Sequence, residues 1–200
     1  MWQVCGSNTG KALFLQFNVL TMKGILLLVL VMAIMTPGMA QKLTPSAEGS
    51  AVKFTIKNFG VNTEGSFTGL EGEINFDPAD PGAASFNVSV DAATVNTAVE
   101  MRDSHLRKSE YFDIQNYPRI KFVSTRITQG KKEGSYSVVG NLTIRDVTKE
   151  VTIPFAVAPK EGGYQFTGEF KINRRDFGVG GGSLTLSDNV TIGLSVFGKK

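Results

Sequence analysis

The sequence predicts an all-β fold: eight antiparallel strands running up and down, closed into a barrel, with one short helix around residues 97–112. Three observations carry this. Apolar and polar residues alternate with period two through most of the chain beyond residue 50, the pattern of strands with one wet face. The separators between these runs are short and rich in Gly, Pro and Asp, as in Asp77-Pro78, Gly130-Lys131-Lys132-Glu133-Gly134 and Pro159-Lys160-Glu161-Gly162-Gly163, so neighbouring strands reverse rather than cross over. A single segment, between the third and fourth runs, has helical spacing instead.

Residues 1–40 stand apart from that pattern. Of the 200 residues, this stretch holds five of the six Met, the only Trp, the only Cys and no acidic side chain. Within it Lys23 precedes an apolar run from Ile25 to Met35, and Pro37-Gly38-Met39-Ala40 follows. The run is shorter than the ~20 apolar residues a spanning helix needs. A cation, a short apolar stretch and small residues at Gly38 and Ala40 are the marks of a secretory signal peptide cut after Ala40. Met22 can serve as the start of such a leader, and Gln41, where a lipid-anchored protein would have Cys, implies no lipid anchor. The protein is therefore expected in the periplasm or secreted, as one domain over residues 41–200.

In that domain Val52, Phe54 and Ile56 alternate with Lys53, Thr55 and Lys57, and Leu70, Ile74 and Phe76 make the second run. Phe86, Val88, Val90 and Ala92 form the third, Ile120 and Phe122 the fourth, and Tyr136, Val138, Leu142 and Ile144 the fifth. Val151, Ile153, Phe155 and Val157 form the sixth, Tyr164, Phe166, Phe170 and Ile172 the seventh, and Val190, Ile192, Leu194 and Val196 the eighth. In the helical segment Thr97 and Glu100 have capping-box spacing, and Ala98, Met101, His105 and Leu106 share one stripe. One apolar face per strand is buried either by closing the sheet, which leaves no open edge, or by stacking two sheets as a sandwich. An eight-stranded barrel is either filled by side chains or holds one small ligand, and inward Phe residues suit both.

Composition and motifs exclude several function classes. The 160 residues after Ala40 carry 19 basic and 18 acidic side chains, so a sequence pI near 9.0 is no basic footprint and no nucleic-acid partner is expected. They contain no Cys, so stability comes from the core rather than from disulfides. With His105 the only histidine, the usual nitrogen and sulfur ligands of a metal site are missing, and no cofactor is expected. Asp103-Ser104-His105 has the residue types of a hydrolytic triad, but neighbours on one helical turn point apart, and a triad is a spatial arrangement. No catalytic residue is assigned and the protein is not expected to be an enzyme. Gly178, Gly180, Gly181 and Gly182 lack the Lys-Ser/Thr that completes a P-loop. Arg102, Arg107, Arg174 and Arg175 have forks suited to a phosphate or carboxylate, yet Arg102 can equally pair with Asp103 and Arg175 with Asp176.

Three ordered motifs carry a resemblance. The first runs from Thr94-Val95-Asn96-Thr97 through Met101-Arg102-Asp103-Ser104-His105-Leu106-Arg107-Lys108 to Tyr111-Phe112-Asp113, Tyr117-Pro118 and Phe122. The second is Gly140-Asn141-Leu142-Thr143-Ile144 with Val147-Thr148-Lys149, and the third is Lys171-Ile172-Asn173-Arg174-Arg175-Asp176-Phe177-Gly178-Val179. Over roughly residues 44–198 the chain resembles the YceI-like family of exported lipid-binding proteins. Many of its members have Gly at the turn position held here by Asp146, a residue that also tolerates a left-handed turn.

The resemblance implies a lipocalin-like barrel with a long apolar tunnel for a long-chain lipid or isoprenoid amphiphile, held for transport, storage or sensing. The inward positions then become the tunnel lining: Phe54, Ile56, Phe76, Phe86, Val88, Val90, Phe122, Val138, Leu142, Ile153, Phe155, Phe166, Phe170, Ile192 and Leu194. The headgroup is expected near Arg102, His105, Arg174 or Arg175, which lie on the two long irregular insertions. Such a carrier is expected as a monomer or homodimer with no membrane anchor after cleavage. A structural or adhesive barrel with a filled core is the alternative. An enzyme acting on a lipid or sugar is a further one, against which the strand parity places apolar residues inside.

Overall fold

The computed structural model describes residues 1–3 and 41–200; the expected leader core and its cut after Ala40 lie outside the described residues. From Gln41 the chain forms β1 (Gln41–Asn58), β2 (Val61–Phe76), β3 (Ser85–Asn96), α1 (Glu100–Leu106), β4 (Arg119–Gln129), β5 (Ser135–Ile144), β6 (Val147–Lys160), β7 (Gly163–Asn173) and β8 (Leu186–Lys199). Each strand pairs antiparallel with the next, and β8 returns to β1 with Phe54 opposite Ile192 and Ile56 opposite Val190. The sheet is a closed barrel, so the sandwich alternative falls.

Up-and-down order sorts the connections by end. The β1–β2, β3–β4, β5–β6 and β7–β8 links lie at one end, so both long insertions are neighbours there. The short β2–β3, β4–β5 and β6–β7 turns lie at the other, with the start of β1 and the end of β8.

Two strands are longer than their hydropathy suggests. Thr44–Ser46 also pairs, with β8, and so does the polar stretch Val61–Thr68, with a register shift in β1 between Leu43 and Val52 and shifts in β2 between Ser66 and Glu71. Such bulges insert residues and reset which face a side chain takes. Opposite Phe54 stands Gly65, where an added Cβ would lie 2.2 Å from the Phe54 ring. The ring lies over the glycine, and no larger residue fits beneath it.

The helix is shorter than expected. It begins at Glu100 rather than Thr97 and ends at Leu106 rather than Phe112, after which successive turns carry the chain onward. Ala98 has φ 60°, a left-handed value that a helix cannot pass through. Thr97 therefore caps nothing, and its amide and hydroxyl donate instead to Asp103 Oδ1. At the β5–β6 turn the left-handed residue is Arg145, φ 58°, and not Asp146. The Arg145 Nη1 donates to the Gly178 carbonyl at 2.6 Å, tying this turn to the β7–β8 loop.

Candidate functional site

The barrel interior divides along its axis. At the end with the short turns, Phe76 sits fully buried with its ring 5.3 Å from Tyr136, 5.3 Å from Phe166 and 5.8 Å from Tyr164. Phe86 packs on Phe155 at 5.5 Å and on Phe166 at 5.7 Å, and Tyr136 stacks on Phe155. Edge-to-face contacts of this kind fill space densely and add attraction beyond area burial. With Leu43, Ile127, Val138 and Ile153 they form one continuous core, a plug that closes this end.

Beyond the plug lies a cavity of about 670 Å³. Phe54 and Ile56 of β1, Val88 and Val90 of β3 and Phe122 of β4 line it. Leu142, Ile153, Phe170, Ile192 and Leu194 complete the set of expected lining residues that the structure brings together. Several of these, including Ile56, Val88, Phe122, Phe170, Ile192 and Leu194, are only half-buried although they point inward, because the space in front of them is empty. Phe76, Phe86, Val138, Phe155 and Phe166 were expected on the same lining and instead belong to the plug. Alternation along a strand tells in from out; it does not tell height along the barrel axis, and height decides between plug and cavity.

The cavity opens between the β1–β2 turn, α1 and the loop after β7, where the exposed Phe59, Gly181, Gly182 and Ser183 reach its edge. Leu106 and Phe112 anchor this rim on the Phe54, Phe67 and Val95 cluster, with Phe112 edge-on to Phe67 at 5.3 Å. Of the four headgroup candidates, Arg102, His105 and Arg174 border the cavity and Arg175 does not. His105 packs on Tyr111, ring centroids 4.9 Å apart.

Arg174 is engaged at all three of its nitrogens. It is 4% exposed and donates to Ser187 O at 2.9 Å, Val179 O at 2.8 Å and Asp188 Oδ1 at 3.0 Å. Its role is to hold the β7–β8 loop against the start of β8. Arg175 points outward with its guanidinium 3.6 Å from Asp188, not from Asp176. Arg107 is also committed, to Ala93 O, Val95 O and Glu100. Among the described residues no group of three His, Cys, Asp or Glu side chains is placed to hold a metal.

Sequence reasoning missed Phe67, Leu70, Thr97 and Tyr111 as cavity residues. Phe67 and Leu70 stand on either side of the β2 bulge, so no single period-two count includes both.

A closed β-barrel that is packed at one end and hollow and apolar at the other has the form of a binding barrel. The chain belongs to the YceI-like domain family, whose model matches residues 43–197. A UPF0312 protein of Serratia proteamaculans is 33% identical over 165 residues, covering 78% of this chain and 84% of the relative. Among solved structures, BcnA of Burkholderia cenocepacia superposes with a TM-score of 0.72 at 29% identity, covering 76% of this chain and 98% of BcnA. A polyisoprenoid binding domain from Saccharophagus degradans, implicated in plant cell wall breakdown, shares the fold with a TM-score of 0.64 at 16% identity, covering 80% of this chain and 98% of that domain.

Proposed function

We propose that this protein is an exported lipid-binding protein that holds one long-chain isoprenoid or similar amphiphile in the barrel, tail toward the aromatic plug and head at the α1 end. The observation that carries the reading is the cavity of about 670 Å³ with its apolar lining and single built-in stop. A filled structural barrel would have no use for half-buried Val88, Phe170 and Ile192 facing empty space. The likeness to a polyisoprenoid binding domain supports the same class of guest.

The volume also sets a limit. At about 30 Å³ per non-hydrogen atom, the share of a water molecule in its liquid, the cavity takes roughly 20 such atoms. Each methylene withdrawn from water contributes ~0.8 kcal/mol, so affinity rises with chain length until the tail meets the plug. Export rests on Lys23, the apolar run to Met35 and the small residues before Gln41.

Native mass spectrometry of protein purified from its own compartment, followed by lipid extraction, tests the reading. One amphiphile per barrel is expected, and N-terminal sequencing of that material is expected to read Gln41-Lys42-Leu43. Barrels without stoichiometric lipid would favour the structural alternative, and full-length chain in the cytoplasm would overturn export.

A further inference from the structure

Resting on the cavity reading above, a more specific feature lies at the rim. Six arginines, at 102, 107, 119, 145, 174 and 175, stand on or beside the open end. Among the described residues, Arg107, Arg119, Arg174 and Arg175 each meet a carboxylate, and Arg145, which does not line the cavity, turns to the Gly178 carbonyl. Arg102 borders the cavity and is in no ion pair with a described residue. Its Nε donates to Thr97 Oγ1 at 2.7 Å and its Nη2 to Thr97 O at 2.8 Å. A guanidinium carries five N–H donors, so these two bonds leave Nη1 and one Nη2 hydrogen unused.

The contacts behind Arg102 fix its aim. Asp103, 4% exposed, accepts from both the amide and the hydroxyl of Thr97. With its own proton committed to Asp103, the Thr97 oxygen can only accept from the arginine, so the guanidinium is held from behind. The residue order Thr97, Arg102, Asp103 and the left-handed Ala98 thus build a positioned cation on the border of an apolar cavity. Arg102 also borders a shallow polar groove outside, on which Lys53 and Glu64 bring one charge of each sign.

We propose that Arg102 selects guests with an oxyanion head, a carboxylate or phosphate, and that Thr97 and Asp103 are its positioning residues. A planar fork with adjacent free donors matches such a head, and a charge-assisted hydrogen bond at the mouth of an apolar cavity is stronger than the same bond in water. An alcohol or ketone head of equal chain length receives only an ordinary hydrogen bond.

The test compares myristate, myristyl alcohol and inorganic phosphate by calorimetry on the purified protein. The wild type is expected to bind myristate at least about tenfold more tightly than the alcohol. Arg102→Gln is expected to bring the two within about twofold, while Arg126→Gln, on the exposed outer wall of β4, keeps the difference. No preference in the wild type, or a preference that survives Arg102→Gln, overturns the proposal and leaves the cavity reading intact. Binding of phosphate but of neither amphiphile overturns the cavity reading and keeps an anion site; binding of nothing overturns both. Should Arg102→Gln fail to fold, salt titration of the wild type decides: added salt is expected to weaken myristate and spare the alcohol, and equal response of the two overturns the proposal.

Discussion

Val88→Phe is the sharpest probe of the hollow half. Val88 faces the cavity from β3, between Gly72 of β2 and Phe122 of β4, so a larger side chain has open space in front of it and a bare glycine beside it. The change adds four carbons and no hydrogen and displaces about 50 Å³, roughly two chain carbons at ~30 Å³ each. At ~0.8 kcal/mol per methylene this removes ~1.6 kcal/mol, about fifteenfold in Kd, from a guest that fills the cavity. A guest shorter by two carbons loses almost nothing. The same substitution at Val138, 2% exposed and packed in the plug, overpacks a finished core and costs ~1–3 kcal/mol of stability without changing chain-length preference. Fluorescent-lipid displacement with laurate, palmitate and arachidate, beside urea melts of both variants, separates the two outcomes. If Val88→Phe binds all three chains as the wild type does, the empty space is not where the guest lies and the argument from volume fails.

Other expectations are briefer. Arg174→Gln strips a buried fork and leaves the Asp188 carboxylate and two carbonyls short of donors, so a loss of ~2–5 kcal/mol is expected in denaturant melts; Arg175→Gln, whose side chain is 53% exposed, is expected within ~0.5 kcal/mol of wild type. Phe59 occupies a left-handed turn position at φ 50° while exposed, and Phe59→Asn is expected to raise stability by ~0.5–1 kcal/mol, read as a higher Tm. The Glu73 carboxyl is held below its ordinary 4.5 by hydrogen bonds from Lys42, at 2.7 Å, and Asn75. Because the shift is downward, the contact supports the β1–β2 pairing above that ordinary value and fades as pH falls through the lowered one. The protection of the Leu43 amide, its exchange rate set against that of an unstructured amide at the same pH, is expected to fall in that acid range in the wild type but not in Glu73→Gln.

Most of the architecture was legible because each strand keeps one wet face, and the eight runs from Val52 to Val196 could be read from that alternation alone. What escaped shows why. The polar segment Val61–Thr68 pairs as strand because Phe54 lies across Gly65, a cross-strand fact with no local trace. The capping-box spacing of Thr97 and Glu100 was overridden when Asp103 took both Thr97 donors. Two adjacent arginines, 174 and 175, look alike in sequence, yet one is buried and the other faces solvent, a split set by the 3-10 turn that carries them. Arg102 was legible as a basic residue on the insertion. That it borders the cavity free of any carboxylate depends on tertiary placement.

The pairing of β1 with β8 has a consequence for how the chain reaches this state. Phe54 and Ile192 are neighbours across the seam, though nearly the whole domain separates them in sequence. Every other strand pair joins segments adjacent along the chain and can form as a local hairpin or ribbon, whereas the seam must wait for the largest loop to close. Until it does, β1 and β8 are both open edges with unpaired amides and carbonyls, the form of β-sheet most prone to join another molecule. A chain interrupted before Leu186 never leaves that condition. Truncation from the C-terminal side is therefore expected to yield aggregates where most point substitutions yield a weaker monomeric barrel.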